Sequence, residues 1–389
     1  MIGVALLSAD DMVALMKKSL DLEERHYKML LLFGLHVRIG IALQPDFCIY
    51  VNLVGPKQCG KTHVTKYVTE MCNGKFISRA TNAYILRKMG KLNATGTLLG
   101  IDQLEERFKN NEDADLQDVL ETGHTWSAEY GLTEKVKNKI QEIEIGCGGP
   151  KIFNTLIPPR PTLRSRTYEI EVYATDKSDC IVNYTQRTDD IKKISESLDE
   201  YANTIKVKFN IADERVFLRS QTHQDKVALL NKTVGGRRAE MFNAFELCRV
   251  YASGIIHGSW DIDVASNLSY ETADDDEDVF RRAVHHAVKL NMWGNSEVST
   301  ADFSKAMVVS LREYGMNRMS PNELGRWMTN TGFGKPPYRI HKEGGNYYCF
   351  NLHTMSRLSP SPIIQMTLPD SISNNASGMR QECQEQKSD

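Results

Sequence analysis

Long apolar runs are missing from this 389-residue chain. Charge interrupts every apolar stretch well before the roughly 20 residues that a membrane-spanning helix needs, and no secretory leader pattern stands out. The expectation is a cytoplasmic protein without membrane contact. Cysteine pairing is missing as well. The eight cysteines, at 48, 59, 72, 147, 180, 248, 349 and 383, form no C-x-x-C, which speaks against a structural zinc or a redox couple and for reduced thiols. Nor is there an excess of either charge, with 48 Lys and Arg against 50 Asp and Glu, so any contact with nucleic acid needs a local patch. Internal repeats are absent. What is present is an ordinary globular composition, 41% apolar and 25% charged, in a length suited to two or three domains.

Against that background one string stands out. Gly55-Pro56-Lys57-Gln58-Cys59-Gly60-Lys61-Thr62 is a complete G-x-x-x-x-G-K-T loop, placed directly after the apolar run Phe47 to Val54. Its two glycines let the backbone curl until successive N–H groups face a phosphate chain. Lys61 then reaches the β and γ phosphates, Thr62 offers a hydroxyl to Mg2+, and the helix that opens here points its positive end at the same anion. Val64, Tyr67, Val68 and Met71 follow at helical spacing. Strand, loop and helix in this order predict a nucleoside triphosphate site, with ATP and Mg2+ as cofactors and residues 55 to 62 as the cradle. Cys59 reads as a small residue that fits the loop rather than as a redox control.

The rest of the chain divides by pattern into an α/β protein. Residues 1–44 form a helical lead-in, with Met12, Leu15, Met16, Leu20, Tyr27, Leu30, Leu31 and Leu35 at helical spacing. Residues 45–180 alternate strands and helices, which predicts a parallel, doubly wound nucleotide-binding core. The candidate strands are 47–54, 75–78, 97–102, 143–145 with 151–154, and 167–173. A helical lid is expected over 181–272, from the stripes Ile191, Ile194, Leu198, Tyr201 and Met241, Phe242, Phe245, Leu247, Cys248, Val250, Tyr251. Acidic residues 274–278 read as a solvated linker. Residues 273–358 then suggest helices at 277–293, 300–314 and 320–330 and strands at 336–341 and 346–352 around Glu343-Gly344-Gly345. This is the outline of a winged helix-turn-helix. The polar stretch 359–389 reads as a disordered tail.

Thr97 to Asp102 is a short apolar run ending in a carboxylate, which suits a strand that holds the water shell of Mg2+ beside the loop, with Asp102 and Thr62 as the metal residues. The catalytic base is less direct. Gln103 follows Asp102, and Glu105 is the first candidate base ahead of Glu106; the alternative is that both are surface charges and hydrolysis is slow. Asn154 ends the run from Lys151 and either presents its amide to the γ-phosphate or is a buried amide satisfied by backbone. Arg164 and Arg166 are candidates for a finger on a neighbouring subunit's γ-phosphate, or else ordinary salt-bridge partners. Arg237 and Arg238, at the start of a lid helix, are candidates to lie over the nucleotide.

In this colinear order the chain resembles an AAA+ ATPase of the kind found beside primase modules in plasmids, phages and integrated elements, where it is taken to be a replicative helicase. The resemblance covers about residues 47 to 260. It rests on the phosphate loop together with Ala80 to Arg87, Leu98 to Asp102, Asp118 to Gly123, Gly149 to Phe153, Leu163 to Arg166 and Gly236 to Glu240. Only the first of these is specific by itself. The resemblance implies ATP hydrolysis in a ring or shorter oligomer, with Lys61 and Thr62 at the phosphates and metal, Asp102 at the metal, Asn154 as sensor and Arg164 or Arg166 as finger. Gln103 departs from the glutamate usual in such ATPases, which puts turnover in question but not binding. Nothing resembles a primase active site, so a primase would be a separate partner.

DNA is the other expected partner. Between Ser299 and Arg357 eight basic residues face four acidic ones, with Arg326, Lys335, Arg339 and Lys342 as the best phosphate contacts and Tyr338, Tyr347 and Tyr348 available to stack. Such domains also serve as protein contacts or packing caps. The leading expectation is a DNA-dependent, helicase-like ATPase of a mobile or viral replicon. The alternative is a nucleotide-gated DNA-binding initiator or loader switch with slow or no hydrolysis, and a weaker third is a small-molecule kinase.

Overall fold

The computed structural model describes residues 6–42, 47–78, 80–93, 95–104, 114–136, 139–156, 159, 161–173, 184–234, 236–260, 262–268, 283–284, 286–287, 296–313, 324, 339–342 and 345–350. Its centre is a five-stranded, all-parallel sheet in the order β2-β3-β6-β1-β7. The strands are β1 (Tyr50–Val54), β2 (Lys75–Ile77), β3 (Leu99–Ile101), β6 (Lys151–Thr155) and β7 (Thr167–Glu171). Every residue of β1 and β6 is buried, as expected of parallel strands covered on both faces. The two-residue period sorts their side chains. Ile49, Val51, Leu53, Ile152, Tyr168 and Ile170 enter one core, while Cys48, Tyr50, Leu99, Ile101 and Phe153 enter the other.

The first core is closed by helices. They are α1 (Ala9–Ser19), α2 (Glu24–Ile39), α3 (Lys61–Met71), α7 (Tyr184–Lys208), α10 (Gly236–Ser253) and the short α11 (Val264–Leu268). Helix α1 starts on a capping box, in which Ser8 accepts from the backbone N–H of Asp11. Helix α2 is apolar nearly all round, from Tyr27 through Ile39, and is accordingly buried nearly all round. The expected lead-in and the expected lid thus share one core with the sheet. Their contacts are close: the Ala9 N–H donates to the His257 carbonyl at 2.8 Å, and Arg38 of α2 meets Asp199 of α7 at 2.6 Å. Helices α8 (Ile211–Arg219) and α9 (Gln221–Val234) complete the helical region.

The second face carries α4 (Asn82–Asn93), α5 (Ala114–Thr122) and the single-turn α6 (Pro161–Arg164). Here the structure corrects one expectation. Residues 143–145 do not join 151–154 in the parallel sheet. They lie in a hairpin of β4 (Glu129–Val136) and β5 (Lys139–Gly146), paired antiparallel from Glu129 with Gly146 to Val136 with Lys139. The alternation Ile143, Ile145 marks a strand but cannot say which partner it finds. Ile145 and the partly buried Ile143 and Tyr130 anchor the hairpin's base in the second core. Lys151 then fixes the chain into β6: its buried ammonium donates to the Tyr50 hydroxyl and to the Cys147 and Gly149 carbonyls at 2.8 to 2.9 Å.

Near the carboxyl terminus β8 (Ser296–Ser299), β9 (Arg339–Lys342) and β10 (Gly345–Phe350) form an antiparallel sheet in the order β8-β10-β9, with α12 (Thr300–Glu313) following β8. The strand β8 is additional to the hairpin expected here. The acidic run 274–278, most of the expected helices 277–293 and 320–330, and the tail 359–389 lie outside the described residues.

One buried histidine makes the fold acid-sensitive. His26, 1% exposed, shares a 2.7 Å hydrogen bond with the Tyr168 hydroxyl through Nδ1. Burial, and secondarily the charge of Arg25, pushes its pKa down from 6.5 to about 3. Between those values the unfolded chain binds the proton and the folded chain does not, so stability falls as pH falls through this window. At about 1.4 kcal/mol per pH unit, His26 alone accounts for a loss of about 2 to 3 kcal/mol between pH 6.5 and 4.5. Urea unfolding of the parent and of His26→Gln across this range is the measurement. The parent's curve is expected to fall more steeply by that amount.

Candidate triphosphate site

The phosphate loop joins β1 to α3 at the carboxyl edge of the sheet, where ligands of open α/β sheets bind. Local geometry explains its glycines. A side chain at Gly55 would place Cβ 2.2 Å from the Val172 carbonyl oxygen, and Gly60 has φ +94°. Gln58 also lies in the left-handed region, at φ 61°. Gly60 is the N-cap of α3 and provides no side-chain cap, so the helix's first turn is left to an anion. The loop is tied to β6 by a 3.3 Å bond from the Gly55 N–H to the Thr155 carbonyl.

Lys61 is 8% exposed, and its ammonium donates to the Gly55 and Pro56 carbonyls at 2.7 and 2.6 Å. It therefore sits inside the cradle. Cys59 is buried beside it, with Sγ 3.8 Å from Nζ. Burial raises the thiol's pKa and outweighs the lowering by Lys61, so the thiolate is disfavoured, in keeping with a packing role. Lys57 and Gln58 are exposed at the loop's outer side, whereas Pro56 is buried.

The structure brings Thr62, Asp102 and Asn154 together. The Thr62 hydroxyl donates to Asp102 Oδ1 at 2.7 Å, and Asn154 Nδ2 donates to the same oxygen at 2.7 Å. Asp102 follows β3 and Asn154 lies on β6, the strand between β3 and the phosphate-loop strand β1, so sheet order sets their spacing. Asp102 is 5% exposed and Asn154 1%. Gln103, with φ 56°, turns its side chain outward and its N–H inward onto Asn154 Oδ1 at 2.9 Å. These residues fit a magnesium triphosphate: the cradle has a cation, an uncapped helix start, and a hydroxyl paired with a carboxylate. Among the described residues no cluster of three or more His, Cys, Asp or Glu suggests any other metal site.

Other expected residues fall elsewhere. Arg164 is turned inward, 3% exposed, with Nε 3.1 Å from the buried Glu169 carboxylate. In this structure Arg164 is engaged in an internal ion pair. Arg166 is buried as well. Arg238 is 2% exposed and donates to the Leu268 carbonyl at 3.0 Å, which ties α10 to α11. Arg237 is on α10, and its side chain lies outside the described residues, as do Glu105 and Glu106. Of the expected DNA contacts, Arg339 and Lys342 sit at the two ends of β9, whereas Arg326 and Lys335 lie outside the described residues.

Several residues at the site were not foreseen. His63, next to Thr62, accepts from Arg187 of α7 at Nδ1 (3.0 Å), which leaves its Nε2–H to donate to the Ser19 carbonyl (3.0 Å). Burial, then the charge of Arg187, holds its pKa below the usual value, consistent with that neutral tautomer. At the other end of α3, Arg38 donates to the Met71 carbonyl at 2.6 Å. The phosphate helix is thus fastened to the helical layer at both ends. Thr65, wholly buried, bridges Lys61 and Asn154. Its one available signal was position: a residue four after Lys61 lies on the same helix face.

No family model and no curated protein matches the chain. Solved structures resemble it at low identity. One described as SCCmec type IV Cch, an active helicase, is 14% identical, with 91% of this chain and 72% of that one covered and a TM-score of 0.41. The apo C-terminal region of NrS-1 is 12% identical, with coverage of 89% and 76% and a TM-score of 0.33. The RuvB Holliday junction branch migration motor of Thermotoga maritima is 14% identical, with coverage of 88% and 98% and a TM-score of 0.25. Likenesses of this strength assign no residue its role, which rests on the geometry above.

Proposed function

We propose that the chain binds ATP with Mg2+ and hydrolyses it as a DNA-associated motor of the AAA+ helicase kind. The observation that carries this reading is the hydrogen-bonded set Thr62, Asp102 and Asn154 beside a phosphate loop that already holds Lys61. Phosphoryl transfer asks the protein for positioning and charge more than for covalent chemistry. Lys61 serves the phosphate oxygens, Thr62 and Asp102 hold the metal with its water, and Asn154 orders the edge between them. Mg2+ when bound neutralises charge on the transferring phosphate.

Self-association into a ring or shorter oligomer belongs to the proposal, with Arg164 or Arg166 as the finger, Arg237 and Arg238 as lid arginines and Glu105 as the base. So do the domain limits given above, the terminal winged domain, a mobile or viral replicon as setting and a separate primase as partner. DNA contact has a second support in the hairpin. It is inserted between α5 and β6, in the chain between Asp102 and Asn154; Lys135 and Lys139 lie at its last paired residues, and in sequence Lys137 falls between them. Eight residues at about 3.3 Å each put that end roughly 25 Å from the base.

ATP hydrolysis is measured with and without single-stranded DNA on the full chain and on a Lys135→Ala, Lys137→Ala, Lys139→Ala triple variant. DNA is expected to raise turnover in the parent, and the variant to lose about tenfold in apparent DNA affinity with basal turnover kept. The salt slope of binding is expected to shrink by about 2, at roughly 0.7 per lost phosphate contact on a single strand. Turnover indifferent to DNA would remove the motor. One observation favours the switch reading: Gln103 stands where a catalytic glutamate is usual, and its side chain points outward. Mg-ATP binding without measurable hydrolysis, coupled to duplex DNA binding without strand separation, selects that reading.

A further inference from the structure

The Thr65 hydroxyl sits, wholly buried, where three parts of the site meet. It lies one helical turn beyond Lys61 and donates to the Lys61 carbonyl at 2.9 Å. A hydroxyl has one proton, so toward any further neighbour Thr65 Oγ1 acts only as an acceptor. Asn154 Nδ2 meets that lone pair at 3.0 Å. The amide's orientation follows from this chemistry: Nδ2 must face Thr65, its second N–H goes to Asp102 Oδ1 at 2.7 Å, and Oδ1 is left to accept the Gln103 N–H at 2.9 Å. Both donors onto Asp102, Thr62 Oγ1 and Asn154 Nδ2, land on Oδ1, and Oδ2 takes neither.

We propose that Thr65 is a positioning residue of the triphosphate site, whose hydroxyl sets the Asn154 amide and through it the rotation of the Asp102 carboxylate and the backbone of Gln103. The inference rests on the ATPase reading and adds to it a route from the phosphate-loop helix to the metal carboxylate. In this arrangement Asn154 has both N–H bonds and its carbonyl engaged within the protein. It acts on the nucleotide through Asp102 and Gln103 rather than by direct contact. The left-handed φ of 56° at Gln103 is held by the same amide, so losing Thr65 releases the residue next to the metal ligand.

Thr65→Val keeps the shape and removes the hydroxyl, while Thr65→Ser keeps the hydroxyl. Two readouts are taken on the full chain: hydrogen exchange of the Gln103 amide without nucleotide, and kcat with KM for Mg-ATP. For Thr65→Val, exchange at Gln103 is expected to quicken roughly tenfold and kcat to fall roughly tenfold, with KM within about twofold. Thr65→Ser is expected to stay near the parent in both. Parent-like exchange at Gln103 in Thr65→Val overturns the proposal. So does a Thr65→Ser variant as impaired as Thr65→Val, or faster exchange spread through all of β1 and β6, which would mark a general loss of packing. If the parent itself shows no turnover, the ATPase reading fails, and the exchange measurement alone still decides the role of Thr65.

Discussion

Replacing Lys61 by Met is expected to lower ATP turnover at least about 100-fold, equivalent to about 2.7 kcal/mol of transition-state stabilisation at 1.36 kcal/mol per decade. The ammonium is only 8% exposed and is held by the Gly55 and Pro56 carbonyls, so it is a preplaced charge inside the cradle rather than a mobile surface lysine. Because it is buried, such a charge is worth more against developing phosphate charge than it would be in bulk solvent. Methionine keeps an unbranched stem of similar length and removes the ammonium. The two carbonyls lose a donor, and thermal stability is expected to fall by about 1 to 2 kcal/mol. Phosphate release and urea unfolding, measured side by side, separate these effects. A Lys61→Met variant that hydrolyses ATP at the parent rate would show that this lysine does not serve the phosphates.

The parts of the site that a sequence pattern encodes are those in which one residue type is fixed by local geometry. Gly55 and Gly60 are of that kind, since the close approach of the Val172 carbonyl and a φ of +94° each demand a missing Cβ. Asp102 at the end of a short apolar run is another. Pairing between distant segments is not written locally. Ile143 and Ile145 alternate as a strand should, yet nothing in that alternation distinguishes a hairpin with 129–136 from a further strand of the parallel sheet, and the partner segment is blurred by Gly131, Glu134 and Lys135. The stripes of α1, α2, α7 and α10 were legible as buried faces, but the meeting of the lead-in and lid helices in one core was not. Arginines show the same limit: the sequence leaves Arg164 open as a finger or a salt-bridge partner, and which partner it has is seen only when Glu169, five residues on, stands beside it in the interior. Thr65 was hidden for the opposite reason, because a threonine on the buried face of a helix carries no mark until Asn154 is brought to it by the sheet.

Asp102→Asn tests the metal assignment with little disturbance of the fold. An amide oxygen at this position can still accept from Thr62 Oγ1 and Asn154 Nδ2, which now meet at Asp102 Oδ1 at 2.7 Å each. What disappears is the negative charge, in a place only 5% exposed where it is poorly screened by solvent. The consequences for the nucleotide have opposite signs. With Mg2+ present, the lost carboxylate weakens the hold on the metal's water shell, and turnover is expected to fall about 100- to 1000-fold. Without Mg2+, the same carboxylate repels the triphosphate, so nucleotide affinity is expected to stay level or rise by up to about tenfold, the size of an interaction of about 1.4 kcal/mol. The sign change is the point of the experiment. A structural defect lowers affinity under both conditions, whereas removal of a metal-holding charge abolishes the gain that Mg2+ brings and spares binding in its absence. Calorimetric titration of ATP with Mg2+ and with EDTA, on the parent and on Asp102→Asn, reads this out. Should Mg2+ strengthen ATP binding equally in both proteins, Asp102 is not a metal residue, and the 2.7 Å bond from Thr62 is packing alone.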